Sequence, residues 1–471
     1  MESWMKKVRC QIMSNKVNGE YIFSEDCKFS LDDKKTGLNN NYLYIGAPGT
    51  GKTRSEFYNI LHQLDRNHVI VDVKGSMASL VPLLEENGYK IYYLNLVDLH
   101  RSMYYNPLAY IRKRYSQTDL MSLARTIYGC NYVSKDPFWD ESAISFLHAA
   151  LTYTYEKNSQ EGNGSLKEAF DIIYTLRFDC DGEMDCMVLQ DKINELINEG
   201  LDVYSSELFF REVICAPKTL ATIFKTLRSR TSALQNPDVL RTICDGAEEF
   251  TIDFKKFVHE KSVIFIQVND ADTSLHRIAS VFLSQLFQFL FAEANKQKDL
   301  RLPIPVQFHL DDMANYEIND FASIIATARS RGIGITGCIQ SKNQLASVYK
   351  DDAINIQDCF DTTIYMGTNS YDSALDIAHR SGFTLDYVNE LPVGDIILIR
   401  RGRTAEHIKL LDYSKTGKYF IYNHNRYLIP KNRFRIHDDL RHIYIYKMIK
   451  QVKKASLGML FVLILFIYSF F

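Results

Sequence analysis

The most constraining feature of the chain is the run Gly46-Ala47-Pro48-Gly49-Thr50-Gly51-Lys52-Thr53, entered from the apolar Tyr42-Leu43-Tyr44-Ile45 and left through a helix-compatible segment. A buried strand, a glycine-rich bend and a helix start form the context that a phosphate-binding loop requires. Glycines let the backbone wrap a phosphate, and the amides of the loop and of the first helical turn aim their donors at it. Lys52 adds a charge for the β and γ phosphates, and the Thr53 hydroxyl is of the type that holds magnesium. ATP with Mg2+ is the cofactor pair expected from these residues.

At 471 residues the chain exceeds one small core, and two or three domains are expected. A formal net charge of −2 excludes a global basic field, so any nucleic-acid contact has to come from local patches. The nine cysteines show no Cys-x-x-Cys pair and no disulfide spacing, so they read as reduced thiols of a cytosol-facing protein.

Short apolar runs alternate with helix-length segments, which predicts an α/β fold with a parallel-rich sheet covered by helices. The expected strands are 42–45, 68–72, 90–94, 262–268, 306–311, 334–339, 362–366 and 395–400. Between the third and fourth lies a long stretch of helix-favouring composition, which reads as an inserted all-helical domain because a structureless loop of that length is implausible. The expected organisation is an amino-terminal segment at 1–40, a nucleotide-binding domain formed by 41–114 and 256–411, and a helical insert at 115–255. A basic and aromatic segment at 412–454 and a candidate membrane tail at 455–471 complete it.

A phosphate loop needs a carboxylate at the end of a nearby buried strand. Val306-Gln307-Phe308-His309-Leu310-Asp311-Asp312 supplies it: Asp311 is the expected magnesium residue, and Asp312 the group that orients or deprotonates the attacking water. Asp72-Val73-Lys74-Gly75 ends the second strand, so Asp72 and Lys74 are expected along the edge where the nucleotide collects. Arg329-Ser330-Arg331-Gly332 closes a helix ahead of a strand ending at Gln340. One of Arg329 and Arg331 is expected to reach a γ phosphate across a subunit boundary, with Gln340 sensing that phosphate. Lys218, Lys225, Arg228 and Arg230 recur at helical spacing and are candidates for DNA phosphate contact.

The order of these blocks resembles the coupling-protein ATPases of type IV secretion and bacterial conjugation. The resemblance is carried by the phosphate loop, Val69-Ile70-Val71-Asp72-Val73-Lys74-Gly75, Tyr105-Asn106-Pro107-Leu108, Asp136-Pro137-Phe138-Trp139, Asp311-Asp312-Met313-Ala314-Asn315, Arg329-Ser330-Arg331-Gly332-Ile333 and Gln340-Ser341, across about residues 42 to 400. It implies a RecA-like P-loop NTPase core with an all-helical insert, a homohexameric ring, and ATP-driven delivery of a relaxase-bound single DNA strand to a secretion channel. Three positions depart from the family pattern: Asp312 stands where glutamate is usual, Ser76 where an acid commonly follows the glycine, and the first 40 residues lack an apolar run long enough to span a membrane. Two other readings stay open, a ring translocase of the segregation or packaging type and a non-hydrolysing receptor that uses nucleotide only to fix its shape.

The carboxyl end carries Lys447, Lys450, Lys453 and Lys454 followed by an uncharged apolar run from Ser456 to Phe471. As a helix the run would extend roughly 24 Å, short of the roughly 30 Å hydrocarbon core but extendable by snorkelling lysines and a tilted or thinned bilayer. The cytoplasmic face of a bacterial membrane is the expected location.

Overall fold

The computed structural model describes residues 19–129, 136–158, 164–175, 198 and 217–411. The basic-aromatic segment and the candidate membrane tail lie outside the described residues. Among the described residues no helix is long and apolar enough to cross a membrane.

Nine strands form one sheet: β3 (Tyr42–Ile45), β4 (Asn67–Asp72), β5 (Lys90–Asn95), β6 (Ser262–Gln267), β7 (Val306–Leu310), β8 (Ile333–Ile339), β9 (Thr362–Tyr365), β10 (Asp395–Arg400) and β11 (Glu406–Lys409). Their spatial order is β11-β10-β9-β3-β8-β7-β4-β6-β5. Every pairing from β9 to β5 is parallel, and only β10 is reversed, pairing antiparallel with β9 on one side and β11 on the other. A parallel sheet buried on both faces reads as uninterrupted apolar runs, and β3 is buried at all four positions.

The two faces of β3 are chemically distinct. Leu43 and Ile45 enter the main core, whereas Tyr42 and Tyr44 enter a smaller cluster with Tyr21, Phe23 and Ile408. That cluster is closed by a hairpin the sequence patterning does not indicate, formed by β1 (Glu20–Ile22) and β2 (Lys28–Ser30). Tyr21 stacks on Tyr42 with ring centroids 3.8 Å apart and shares a 2.9 Å hydroxyl contact with Tyr44. Asn59 then clamps the hairpin to the helix Lys52–Ile60, accepting from Ile22 N at 2.7 Å and donating to Ile22 O at 3.2 Å. The hairpin is thereby folded against the helix that follows the phosphate loop.

Between β5 and β6 the described elements are helices and 3-10 turns, with one isolated bridge joining Tyr104 and Thr251. The long helix Pro137–Asn158 packs with Ser116–Tyr128, Leu166–Thr175 and Pro217–Thr231. Tyr105-Asn106-Pro107-Leu108 enters this layer as a structural joint: Asn106 is buried, its amide donates to Gly164 O at 2.7 Å, and its carbonyl oxygen accepts from Leu108 N at 3.0 Å. The helix His276–Lys296 covers the sheet, stacking Phe287 on Phe308 of β7 with centroids 4.1 Å apart.

Candidate functional site

Because the central strands are parallel, their carboxyl ends share one rim. β3 ends at Ile45 and delivers Gly46 to Thr53 there; β7 ends at Leu310 and delivers Asp311. β8 lies between them and ends in register beside β3, pairing Ile339 with Ile45, so Gln340 emerges between the loop and the carboxylate.

The loop is shaped by backbone that only glycine adopts without strain: Gly49 has φ +84° and Gly51 φ +98°. The Thr50 hydroxyl donates to Ala47 O at 2.9 Å and closes the bend, while Pro48 and Gly49 are exposed at its tip. Lys52 is 8% exposed, and its Nζ donates to Gly46 O at 2.6 Å and Ala47 O at 3.1 Å, so its charge sits directly above the loop. One residue later the Thr53 hydroxyl donates to Asp311 Oδ2 at 3.3 Å, spanning 258 residues of sequence.

Asp311 is buried, and its carboxyl is pushed up to about 7 by burial first, then by Asp312 and Asp72, against the opposing pull of Lys52 and Lys74. A divalent cation beside it would restore the ionised form. The paired hydroxyl and carboxylate fit Mg2+, a hard ion that takes one or two protein oxygens and completes its shell with phosphate and water. Among the described residues there is no group of three or more His, Cys, Asp or Glu suited to hold a metal without such help. The turn after Asp311 is held close to β8 by Gly337, where a Cβ would stand 2.3 Å from Met313 Sδ. Asp312 follows in the left-handed region at φ +45°, a strained conformation for a non-glycine residue beside a candidate site.

A family model described as type IV secretory system conjugative DNA transfer matches residues 3–384. The chain belongs to that family. Among solved structures it resembles the plasmid coupling protein TrwB in complex with the non-hydrolysable ATP analogue ADPNP, at 18% identity and TM-score 0.60, covering 80% of this chain and 86% of that one. TrwB with ADP and Mg2+ matches at 17% identity and TM-score 0.59, covering 79% and 85%. At these identities the likeness establishes a shared RecA-like fold. No curated protein matches significantly by sequence.

The remaining residues expected from sequence divide between the two rims of this coupling-protein fold. Asp72 ends β4 on the same rim as the glycine-rich loop, but its buried carboxylate is engaged with its own turn, accepting from Lys74 N at 3.2 Å and Met77 N at 2.6 Å. Lys74 is exposed on that turn. At Gln340 the backbone is pinned on both sides, its N–H donating to Gln344 Oε1 at 3.0 Å and its carbonyl accepting from Thr368 Oγ1 at 2.9 Å. Arg329 and Arg331 precede the first residue of β8 and therefore sit at the opposite rim from Lys52 of their own chain. Their environments differ. Arg329 lines a cavity of about 620 Å³ at that rim, whereas Arg331 lies over the Phe291 ring and donates to Leu300 O at 3.4 Å.

Of the basic stripe on the helix Pro217–Thr231, Arg228 turns inward to donate to Ile173 O at 2.8 Å, which makes it a packing residue; Lys218 and Lys225 are exposed. Sequence reading missed Glu56, which lies on the P-loop helix one turn beyond Lys52. Burial and then the nearby Asp311 charge raise its carboxyl well above the ordinary range. Its place one turn after the loop lysine was the available signal. Its Oε1 lies 4.0 Å from His309 Nδ1 on β7, a proximity that was not legible because it depends on sheet order.

Proposed function

We propose that this chain is a P-loop ATPase that couples hydrolysis to transfer of DNA, or a relaxase–DNA complex, into a type IV secretion channel, working as a homohexameric ring at the cytoplasmic face of a bacterial membrane. The observation that carries the reading is the 3.3 Å contact between Thr53 Oγ1 and Asp311 Oδ2, which joins the phosphate loop and the strand-end carboxylate at one point. Family membership and the nucleotide complexes of TrwB support ATP and Mg2+ as the ligands.

In this reading Lys52 leaves the Gly46 and Ala47 carbonyls to grip the β and γ phosphates, and the loop glycines keep the backbone amides open to them. Thr53 and Asp311 hold the magnesium shell, directly or through water. An ion held there would supply charge neutralisation to the phosphates. Asp312 orients the attacking water and accepts its proton, Gln340 reports the terminal phosphate to β8, and an arginine arrives from a neighbouring subunit. Asp72 keeps the β4 turn shaped so that Lys74 faces the same rim. The carboxyl tail, with its lysines, provides membrane attachment.

Steady-state phosphate release with and without single-stranded DNA tests the reading. Turnover in the unmodified protein that disappears in Lys52→Ala, with melting temperature retained, is the expected result. Undiminished turnover in Lys52→Ala refutes the site. Nucleotide binding without any turnover in the unmodified protein identifies a docking receptor instead of a motor.

A further inference from the structure

The helix His276–Lys296 is apolar along most of its length, yet one row of it is polar: His276, Ser280, Ser284 and Gln288 recur at every fourth residue. Residues four apart stack on one face of a helix. All four are engaged. The His276 ring lies between two carbonyls, with Nδ1 2.9 Å from Asn315 O and Nε2 2.7 Å from Asn269 O. Ser280 Oγ accepts from Glu317 N at 3.1 Å, and Ser284 Oγ accepts from Asn319 N at 3.0 Å. Gln288 Nε2 donates to Asp119 Oδ1 of the helical insert at 2.7 Å. Four helical residues rise about 6 Å, and two residues of extended chain span about 6.6 Å. The pitch of the row therefore matches alternate backbone groups at 315, 317 and 319, and the chain leaving Asp312 is fastened lengthwise along the helix as a strap.

Both ends of that strap are strained. Among the described residues four non-glycine positions have positive φ, and two of them, Asp312 at +45° and Asp320 at +53°, bracket it. Such backbone persists only where its surroundings over-determine it. Asn315 N donates to Asp312 O at 2.8 Å, Tyr316 Oη to Asp311 O at 2.8 Å, and Ile318 N to Tyr349 Oη at 3.2 Å. The polar row supplies the remaining hold. The insert joins at the far end, where Asn319 Nδ2 donates to Ser122 Oγ at 3.1 Å, beside a cavity of about 180 Å³ that gives the strap room to shift.

We propose that Ser280 and Ser284 are positioning residues for hydrolysis: through the strap 312–320 they hold Asp312 in its left-handed conformation and fix its carboxylate toward the attacking water, with Ser122 tying the same strap to the insert. The proposal rests on the role given to Asp312 above. Neither serine belongs to a motif, and both act only through strap backbone. Without the two acceptors the freed N–H groups turn to water, the strap relaxes toward the cavity, and Asp312 leaves its strained conformation. A misplacement of about 1 Å at a reacting group can cost about 10²-fold in rate. The phosphate grip, which depends on Lys52 and the glycine loop, is untouched.

The test is steady-state phosphate release by the full chain in detergent, alongside ADPNP affinity measured by displacement of a fluorescent nucleotide. Ser280→Ala with Ser284→Ala should lower kcat by about 10-fold or more while KM and ADPNP affinity stay within about twofold. Ser284→Thr keeps the acceptor, and its added methyl has the bordering cavity to enter, so it should retain turnover within about twofold. Ser122→Ala should lower turnover by a smaller factor, because Asn319 N keeps Ser284. In the Asp312→Asn background the serine pair should cost nothing further, since effects routed through one group do not add. Should the double variant fail to bind ADPNP, Ser284→Ala alone carries the test, because at that half-buried position water can serve the freed N–H.

Turnover undiminished in Ser284→Ala and in the double variant, with Asp312→Asn strongly impaired, overturns the strap and leaves Asp312 in its role. Serine losses that persist in full on top of Asp312→Asn also overturn it, because the serines then act elsewhere. Undiminished turnover in Asp312→Asn, or no turnover in the unmodified protein, overturns the strap together with the role of Asp312.

Discussion

The central sheet hides a charge-sensitive pair whose effect can be measured against pH. His68 on β4 and His309 on β7 are buried and lie side by side, with His68 Nδ1 3.1 Å from His309 Nε2. His68 Nε2 contacts the Gln63 carbonyl at 2.9 Å, and since a carbonyl only accepts, Nε2 carries the proton. Nδ1 is then bare and accepts from His309, whose own Nδ1 faces Glu56 Oε1 at 4.0 Å. Burial, and next the Arg66 charge, hold His68 down to about 3 from 6.5; His309 is held well below its ordinary value by burial and then by His68. Between pH 6.5 and 3 the unfolded chain binds a proton at His68 that the folded chain refuses. The stability present above pH 6.5 is therefore lost as pH falls. From pH 7 to pH 5 the loss from His68 alone is about 2 kcal/mol, and its full extent is about 5 kcal/mol below pH 3. His68→Gln keeps a donor for Gln63 and an acceptor for His309 but does not titrate. Thermal melts of both proteins at pH 7 and pH 5 cancel the titrating groups that do not face position 68, including Glu56 and Asp311. The melting-temperature difference between them should move by roughly 4–8 °C in favour of the variant at pH 5. A difference that does not change with pH would refute the buried neutral pair.

Two further outcomes concern the nucleotide rim. Asp312→Asn should lower turnover by about 10²-fold or more while leaving nucleotide affinity within about twofold, because it removes only a proton acceptor; equal losses in binding and turnover would contradict that role. Gly51→Ala, at φ +98°, should destabilise the loop by about 1–3 kcal/mol and weaken nucleotide binding, whereas the same substitution at the helical Ser55 should not strain the backbone; wild-type affinity in Gly51→Ala would show that the loop conformation is not needed.

Much of the sheet was readable because its signals are local. The eight expected strands are continuous apolar runs, and all eight appear with ends shifted by a residue or so; Val268, Asp311 and Met366 fall just outside their strands. The β1–β2 hairpin was not readable, since each strand is three residues long and its stability comes from Tyr21 and Phe23 meeting Tyr42 and Tyr44 on a distant strand. β11 was missed for a similar reason: Glu406–Lys409 buries only Ile408. The convergence of Thr53 with Asp311 followed from motif chemistry, which fixes residue types at strand ends. The His68–His309 contact has no local signature, because only strand order brings those segments together.

The shared pocket is tested most directly by Mn2+ binding to the ADPNP-loaded protein, followed by the electron paramagnetic resonance of free manganese, in Thr53→Ala, Asp311→Asn and the double variant. Thr53 and Asp311 acting on one ion predict that each single change weakens Mn2+ at least 10-fold and that the double loss is smaller than the sum of the two. Manganese affinity unaltered by Asp311→Asn, or losses that simply add, would place the two side chains on separate tasks and remove the basis for reading this rim as a motor site.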